Sequence, residues 1–280
     1  MNVLSLFDGM SCGQLALQKV GVNINTYFAS EIKPHAISIT QANFPNTIQL
    51  GDVTKIKASN LPQIDLLIGG SPCQDFSRAN KVQKGVDGEK SGLFWEYVRL
   101  LKELKPKYFL LENVRMKKEW QDLISEELGV QPIRINSSLV SGVLRDRFYW
   151  TNIPIDKLPE DKNIKLKDIL DYGYVDREKG MCLLESYSRP LKNPIKIARR
   201  YFKYGFWQVV FKDEATYNKL KENYELAVEG DVRYLNRNEM ERAQSVPLNY
   251  TSSLSRNDAA CLLGDGWTVD VIAHIFKGLK

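Results

Sequence analysis

Val3-Leu4-Ser5-Leu6-Phe7-Asp8-Gly9-Met10-Ser11-Cys12-Gly13 is the stretch on which the fold class turns. Its first five residues are strand-like and run directly into a turn of small residues, Asp8 to Gly13. Gln14 to Val20 follows, with Leu15, Ala16 and Leu17 at helical apolar spacing. Strand, glycine-containing turn and helix make a nucleotide-binding type of element. Glycine lets the backbone approach a ligand closely, and a helix N-terminus supplies unpaired N–H donors. The pattern then repeats. Tyr27 to Glu31 reads as a second strand, with a helix over about 34–44 behind it. Ile48 to Asp52 is a third strand, Asp65 to Gly70 a fourth, and Tyr108 to Glu112 a fifth after a helix near 92–104. Apolar strands alternating with helices are covered on both faces, which predicts a doubly wound α/β domain with a mostly parallel sheet.

Composition narrows the class. The chain of 280 residues is 43% hydrophobic, ample for a core, so a disordered chain is excluded. Lys and Arg outnumber Asp and Glu by 39 to 34, a mild basic bias of +5. No run approaches 18 apolar residues, which argues against a membrane span, and the N-terminus lacks the pattern of a signal peptide. Cys12, Cys73, Cys182 and Cys261 lie far apart with no C-x-x-C pair, and there are two histidines. A clustered zinc site and a disulfide framework are therefore not expected. The expectation is reduced thiols in a cytoplasm and no metal.

After about Ile153 the pattern changes. Residues 155 to 232 mix short β-rich pieces, such as Trp207-Gln208-Val209-Val210-Phe211, with Gly, Pro, Asn and many basic and aromatic side chains. Tyr187 to Gly205 carries Arg189, Lys192, Lys196, Arg199, Arg200 and Lys203 and no acid. Two helical stretches close the chain, about 236–244, then 257–263 continuing after a glycine break to 268–279. Ser255-x-x-Asp258 fits a capping-box start.

Ligands of open α/β sheets bind at the carboxyl ends of the strands. Glu31 ends the second strand, where an acid can accept from ribose hydroxyls; Asp52 ends the third, where one can accept from an adenine amino group. The alternative for each is a helix-capping acid. Gly69-Gly70-Ser71-Pro72-Cys73-Gln74-Asp75-Phe76-Ser77 is the most specific segment: a turn aims a cysteine at the mouth of the cleft. A polar, glycine-punctuated stretch from Gln74 to Gly92 follows, long enough to close over a substrate. The fifth strand delivers Glu112-Asn113-Val114 to the same edge.

This ordered set resembles the cytosine-C5 DNA methyltransferase family across essentially the whole chain. Phe7-x-Gly9 resembles its cofactor turn, Pro72-Cys73-Gln74 its nucleophile motif, Glu112-Asn113-Val114 its glutamate motif and Arg145-Asp146-Arg147 its Arg-x-Arg motif. Arg233-x-Leu235 with Glu239, Arg242, Gln244 and Pro247 matches the R-x-L…E-x-x-R-x-Q-x-x-P stretch. Gly264 to Val269 looks like the closing cofactor motif in the form of the mammalian de novo enzymes. One departure stands out: Val143 occupies a place where the family often has glutamine before Arg-x-Arg.

The resemblance implies a Rossmann-like fold. A discontinuous catalytic domain of residues 1–154 plus 250–280 would carry a smaller target-recognition domain of 155–249. It implies S-adenosylmethionine as cofactor and S-adenosylhomocysteine as product. Phe7, Asp8, Gly9, Ser11, Cys12 and Gly13 would surround the methionine portion, with Glu31 on the ribose and Asp52 near the adenine. Ile32, Val53 and Leu93 would pack the adenine, Gly70 and Pro72 would border the site, and Asp265, Gly266 and Trp267 would return to complete it.

Cys73 would be the nucleophile, Glu112 would act at N3 of the base, and Arg145 and Arg147 would stabilise its O2. The base must be flipped from duplex DNA to be reached. Gln74, Ser77, Arg78, Lys81 and Lys84 would close on it, and Arg189, Lys192, Lys196, Arg199, Arg200, Lys203 and Arg233 would contact DNA. Plainer readings stand beside these: a salt bridge for Glu112, a solvated strand end for the arginine pair, a solvated basic face for 187–205, and core thiols for Cys182 and Cys261.

The rival readings are the tRNA-cytosine branch of the family, whose Cys-Phe-Thr signature is absent here, a non-catalytic regulator, and a small-molecule methyltransferase. A stand-alone bacterial or phage enzyme is expected, monomeric or weakly self-associating. Double-stranded DNA and a cognate restriction endonuclease are the partners to consider.

Overall fold

The computed structural model describes residues 1–71, 92–205 and 208–279. The chain divides into two compact units, Met1–Asn136 with Asp146–Leu158 and Val271–Lys280, and Ser137–Arg145 with Pro159–Asp270. The stretch 250–270 thus groups with the second unit, whereas the sequence placed all of 250–280 with the catalytic domain.

The first unit is built on a seven-stranded sheet of order β3-β2-β1-β4-β5-β7-β6. Its strands are β1 (Asn2–Leu6), β2 (Thr26–Ser30), β3 (Ile48–Gln49), β4 (Leu66–Gly69), β5 (Tyr108–Val114), β6 (Ile133–Asn136) and β7 (Asp146–Thr151). β1 to β5 are parallel; β7 runs antiparallel between β5 and β6. The central strands are apolar and almost wholly buried because helices cover both faces. The crossovers are α1 (Cys12–Lys19), α2 (Pro34–Asn43), α3 (Gly92–Leu104) and α4 (Lys118–Leu128).

On one face Leu4, Leu6, Leu67, Phe94, Tyr97, Leu111 and Trp150 form a continuous core. β4 and α3 approach so closely that a Cβ on Gly69 would sit 3.1 Å from both Leu6 O and the Tyr97 ring. The first three strands step outward as β1, β2 and β3, then the chain crosses back to β4 and β5. The strand order therefore reverses between β1 and β4, and their carboxyl ends flank the crevice where such sheets take ligands. β3 is only two residues long, because after Gln49 the chain leaves the sheet and Asp52 starts a 3₁₀ turn.

The second unit contains α5 (Pro194–Arg199), α6 (Glu214–Glu222), α7 (Arg237–Ala243), α8 (Arg256–Asp265) and the two-stranded ribbon β8 (Val210–Phe211) and β9 (Val232–Arg233). It is more helical than the β-rich reading of 155–232. Ile197, Tyr201, Val209, Phe211 and Leu220 form its own core, with Tyr217 and Phe202 stacked at the edge. α8 is unbroken through Gly264, whose missing Cβ lets the backbone of Leu184 and Glu185 pass; an added Cβ would lie 2.6 Å from Leu184 C. Ser255 caps α8 by accepting from Asp258 N, as its sequence predicts. The stretch Arg256–Phe276 has the length and mean hydropathy of a membrane span, but it is α8 followed by α9 (Val269–Phe276), separated around Gly266, and 67% of it is buried.

Candidate active site

The turn after β1 is backbone-strained in a way the sequence only hints at. Phe7, Gly9 and Ser11 have φ of 56°, 60° and 59°, and only the glycine adopts this region without cost. Such strain persists where the surroundings over-determine it, commonly at ligand sites. Here the surroundings are two acids and their donors. Asp8 accepts from Ser11 Oγ and from Tyr27 OH at 2.8 Å. Burial pushes its pKa up to about 6; the Ser11, Ser5 and Tyr27 hydroxyls pull it down and the Glu31 charge adds to the rise. Glu31 accepts from the backbone N–H of Gly9 (2.8 Å), Ile32 (2.7 Å) and Lys33 (2.9 Å), tying the end of β2 to the turn. Tyr27, which the sequence did not single out, is the donor that holds Asp8 from below.

The other cofactor candidates divide. Ile32 is 71% exposed at the end of β2, an apolar side chain with no core to join. Cys12 and Gly13 are buried in the first turn of α1. Val53 is buried in the core, and Leu93 packs against that core from the first turn of α3. Asp52 takes its plainer role: it caps the 3₁₀ turn by accepting from Thr54 N and Oγ1, bonds that hold its pKa below the ordinary carboxylate value. Asp265, Gly266 and Trp267 fall at the end of α8 in the second unit.

Cys73 and Pro72, with Gln74, Ser77, Arg78, Lys81 and Lys84, lie outside the described residues. What leads to them is described. Asn113 is buried next to Glu112, and its amide donates to Ser71 Oγ at 3.0 Å while its carbonyl accepts from Val114 N. The glutamate strand is thereby tied to the turn that carries the chain into Pro72-Cys73.

Glu112 sits on β5, 7% exposed. Antiparallel β7 brings Arg147 opposite Val114, and Arg147 Nε lies 2.9 Å from Glu112 Oε1. Among the described residues Oε1 is buried with this ion-pair contact and no hydrogen bond. A buried acceptor held this way is costly. The sheet partner of the pair is fixed by Asp146, gripped through both oxygens by Arg134.

Arg145 does something else. It is 6% exposed in the second unit and donates to Gly264 O at 3.0 Å and Asp265 O at 3.4 Å, bracing the end of α8. Its loop is held in turn by Lys179, whose ammonium donates to Ser138 O, Ser141 O and Ile164 O, a residue the motifs do not mark. Arg233 was expected to touch DNA; instead its guanidinium forms a two-pronged pair with Glu239 (2.7 and 2.8 Å) and stacks on Tyr172. That pair fixes Glu239, which also accepts from Asn236 N and closes the capping box of α7. Arg189, Lys192, Lys196, Arg199 and Lys203 are exposed and Arg200 is half-buried. Lys196, Arg199 and Lys203 follow helical spacing along α5 and the π-helical turn Arg200–Tyr204, while Ile197, Ala198 and Tyr201 turn into the core. Arg189 is paired with Glu185.

Sheet order and strand direction define the architecture: a doubly wound α/β fold with an antiparallel β7. Solved structures share it. The Entamoeba histolytica methyltransferase EhMeth matches with a TM-score of 0.73 at 18% identity, covering 100% of this chain and 99% of that one. The S. pombe Dnmt2 methyltransferase matches with a TM-score of 0.72 at 17% identity, covering 100% and 99%.

Residues 1–125 match the C-5 cytosine-specific DNA methylases. The orphan methyltransferase M.SPRI of Bacillus phage SPR is 34% identical over 189 residues, 62% of this chain and 43% of the phage protein. The type II methyltransferase M.NlaIV of Neisseria lactamica is 41% identical over 118 residues, 41% of this chain and 28% of that protein. The chain thus spans less than half the length of these curated relatives.

Proposed function

We propose that the protein is an S-adenosylmethionine-dependent DNA cytosine-C5 methyltransferase. The observation that carries this is the buried Glu112 carboxylate, pressed against Arg147 with Oε1 lacking a hydrogen-bond donor among the described residues, on the strand whose Asn113 holds Ser71 before Pro72-Cys73. The fit of the cofactor to the first unit rests on the left-handed backbone at Phe7, Gly9 and Ser11, on Glu31 at the end of β2 and on exposed Ile32 beside it. S-adenosylmethionine supplies an electrophilic methyl group.

The chain's residues do the rest. Cys73 attacks C6 of a flipped cytosine as a thiolate, and the ring electrons shift toward C5 and N3. Glu112 holds a proton at N3 and so drains the negative charge; Arg147 keeps the carboxylate in place and reaches the O2 edge. Arg145 acts as a brace for the α8 terminus. After C5 is methylated a base removes the C5 proton and the C6–S bond to Cys73 breaks. Glu31 would accept from the ribose of the cofactor, Asp8 would border its methionine portion, and the exposed cations of 189–203 would contact the backbone of duplex DNA. A cytoplasmic setting, as either a phage-type orphan or the partner of a restriction endonuclease, completes the proposal.

The test is bisulfite sequencing of plasmid from cells that lack their own cytosine methylation and express the protein, beside Cys73→Ser. Protected cytosines in one short context, absent with Cys73→Ser, are expected. Full conversion in both, with folded protein present, overturns the proposal.

A further inference from the structure

Away from the catalytic motifs, the second unit carries an open groove of about 360 Å³ lined by Asn236, Arg237, Asn238, Asn249 and Arg256. Its size is at the small end of ligand-binding pockets. Its lining is three carboxamides and two guanidinium groups; the Asn236 carboxamide is already engaged, donating to Asp171 Oδ2 and accepting from Glu239 N, which leaves Asn238 and Asn249 as the candidate amide partners.

The groove is built rather than incidental. Arg237 and Arg256 are the first residues of α7 and α8, and each anchors one arm on a backbone carbonyl: Arg237 Nη1 donates to Ser252 O at 2.8 Å, Arg256 Nη2 to Leu235 O at 2.8 Å. A guanidinium has five N–H donors in a rigid fork, so anchoring one arm fixes the plane of the whole group. Arg237 Nε is itself buried with no acceptor among the described residues.

The far wall is held by a carboxylate that no motif marks. Glu241 is fully buried and accepts from Asn249 N (2.8 Å), Thr251 N (2.8 Å) and Thr251 Oγ1 (2.6 Å). It pins the loop on which Asn249 stands in a left-handed conformation, φ 64°. A left-handed asparagine fixed by a buried acid, in one groove with two anchored arginines, is an arrangement the fold maintains at a cost.

We infer that this groove grips one phosphodiester of the DNA backbone, at a contact separate from the flipped base. This rests on the DNA-methylating function proposed above and names where part of the duplex is held. Guanidinium forks match phosphate oxygens through paired, charge-assisted hydrogen bonds, and amides are common partners of phosphate and sugar. The groove is open along the surface, which lets a polymeric anion pass through where an enclosed pocket would admit only a free ion.

The experiment titrates labelled duplex DNA into the full chain across 50 to 200 mM salt, comparing wild type, Arg237→Gln/Arg256→Gln and Asn249→Asp. Each neutralised phosphate contributes about 0.9 to the slope of log affinity against log salt. The double variant should lose about 0.9 of slope, so the ratio of wild-type to variant affinity changes about 3.5-fold between the two salt concentrations. Asn249→Asp, which leaves both arginine anchors intact and sets a carboxylate in the groove, should weaken binding in the same direction. Arg237→Lys/Arg256→Lys should retain the slope. A wild-type slope in both the double variant and Asn249→Asp overturns the inference, as does a wild-type chain that binds no DNA. The bisulfite assay keeps the two proposals apart: methylation with an unchanged variant slope sinks the groove alone, and DNA binding with the expected slope loss but no methylation sinks the enzymatic function alone.

Discussion

Replacing Arg147 by Met should destabilise the first unit by about 3–5 kcal/mol at pH 8, because it leaves the Glu112 carboxylate buried without its cation. The geometry sets the scale. Nε and Oε1 are 2.9 Å apart, and the side chains are 15% and 9% exposed, so solvent screens the pair little. At an effective dielectric of 20 the attraction is about 6 kcal/mol, most of which offsets the desolvation of both charges and so is not net stability. Removing one partner abolishes the attraction and keeps the other's desolvation. Glu112→Gln should cost a comparable amount for the stranded guanidinium, while the double variant should cost less than the sum by at least ~2 kcal/mol.

Urea unfolding of the four proteins at pH 8, read as midpoints and slopes, measures all of this. If the single effects add within ~0.5 kcal/mol, the pair is not the buried, coupled unit described here.

Asp8 titrates in the opposite sense to an ordinary paired carboxylate. With its pKa raised from 3.8 to about 6, wild-type stability should fall by about 3 kcal/mol as pH rises from 4 through 6, and Asp8→Asn should flatten that limb; melting points across pH 4 to 8 decide, and parallel profiles would refute the assignment. Gln49 on β3 has a side-chain amide buried at both N and O with no partner, so Gln49→Leu should raise stability by about 1–2 kcal/mol, a few degrees in Tm; a lower Tm contradicts it. Asn113→Ala removes the bond to Ser71 and should slow methylation about a hundredfold through a misplaced nucleophile turn, with little change in DNA affinity; a loss confined to affinity would argue against the positioning role.

The five parallel strands and the helices at 34–44 and 92–104 were legible because their patterns are local: apolar runs for strands buried on both faces, helical periodicity between them. β6, β7 and α4 carried no comparable signal. Arg134 on β6 and the consecutive Asp146 and Arg147 that open β7 form cross-strand ion pairs, and charged residues in a strand read as loop. The same holds in the second unit, where Lys196 to Lys203 looked like a basic stretch of undefined form and is the exposed side of a helix whose other side is Ile197, Ala198 and Tyr201.

Which residues to propose for the site was legible in the chain, since Glu112, Arg147, Glu31 and the glycine turn stand in motifs whose order is itself informative. What each does was decided by the fold. Arg145 and Arg147 are two residues apart and of one type, yet one braces the carbonyls of Gly264 and Asp265 and the other pairs with Glu112. Arg233 and Arg237 are both arginines of one motif region, yet the first is taken by Glu239 and the second lines a groove. A motif records residue type and spacing along the chain. The partner of a charge is set by contacts tens of residues away, and those exist only once sheet register and loop packing have brought them within about 3 Å of each other.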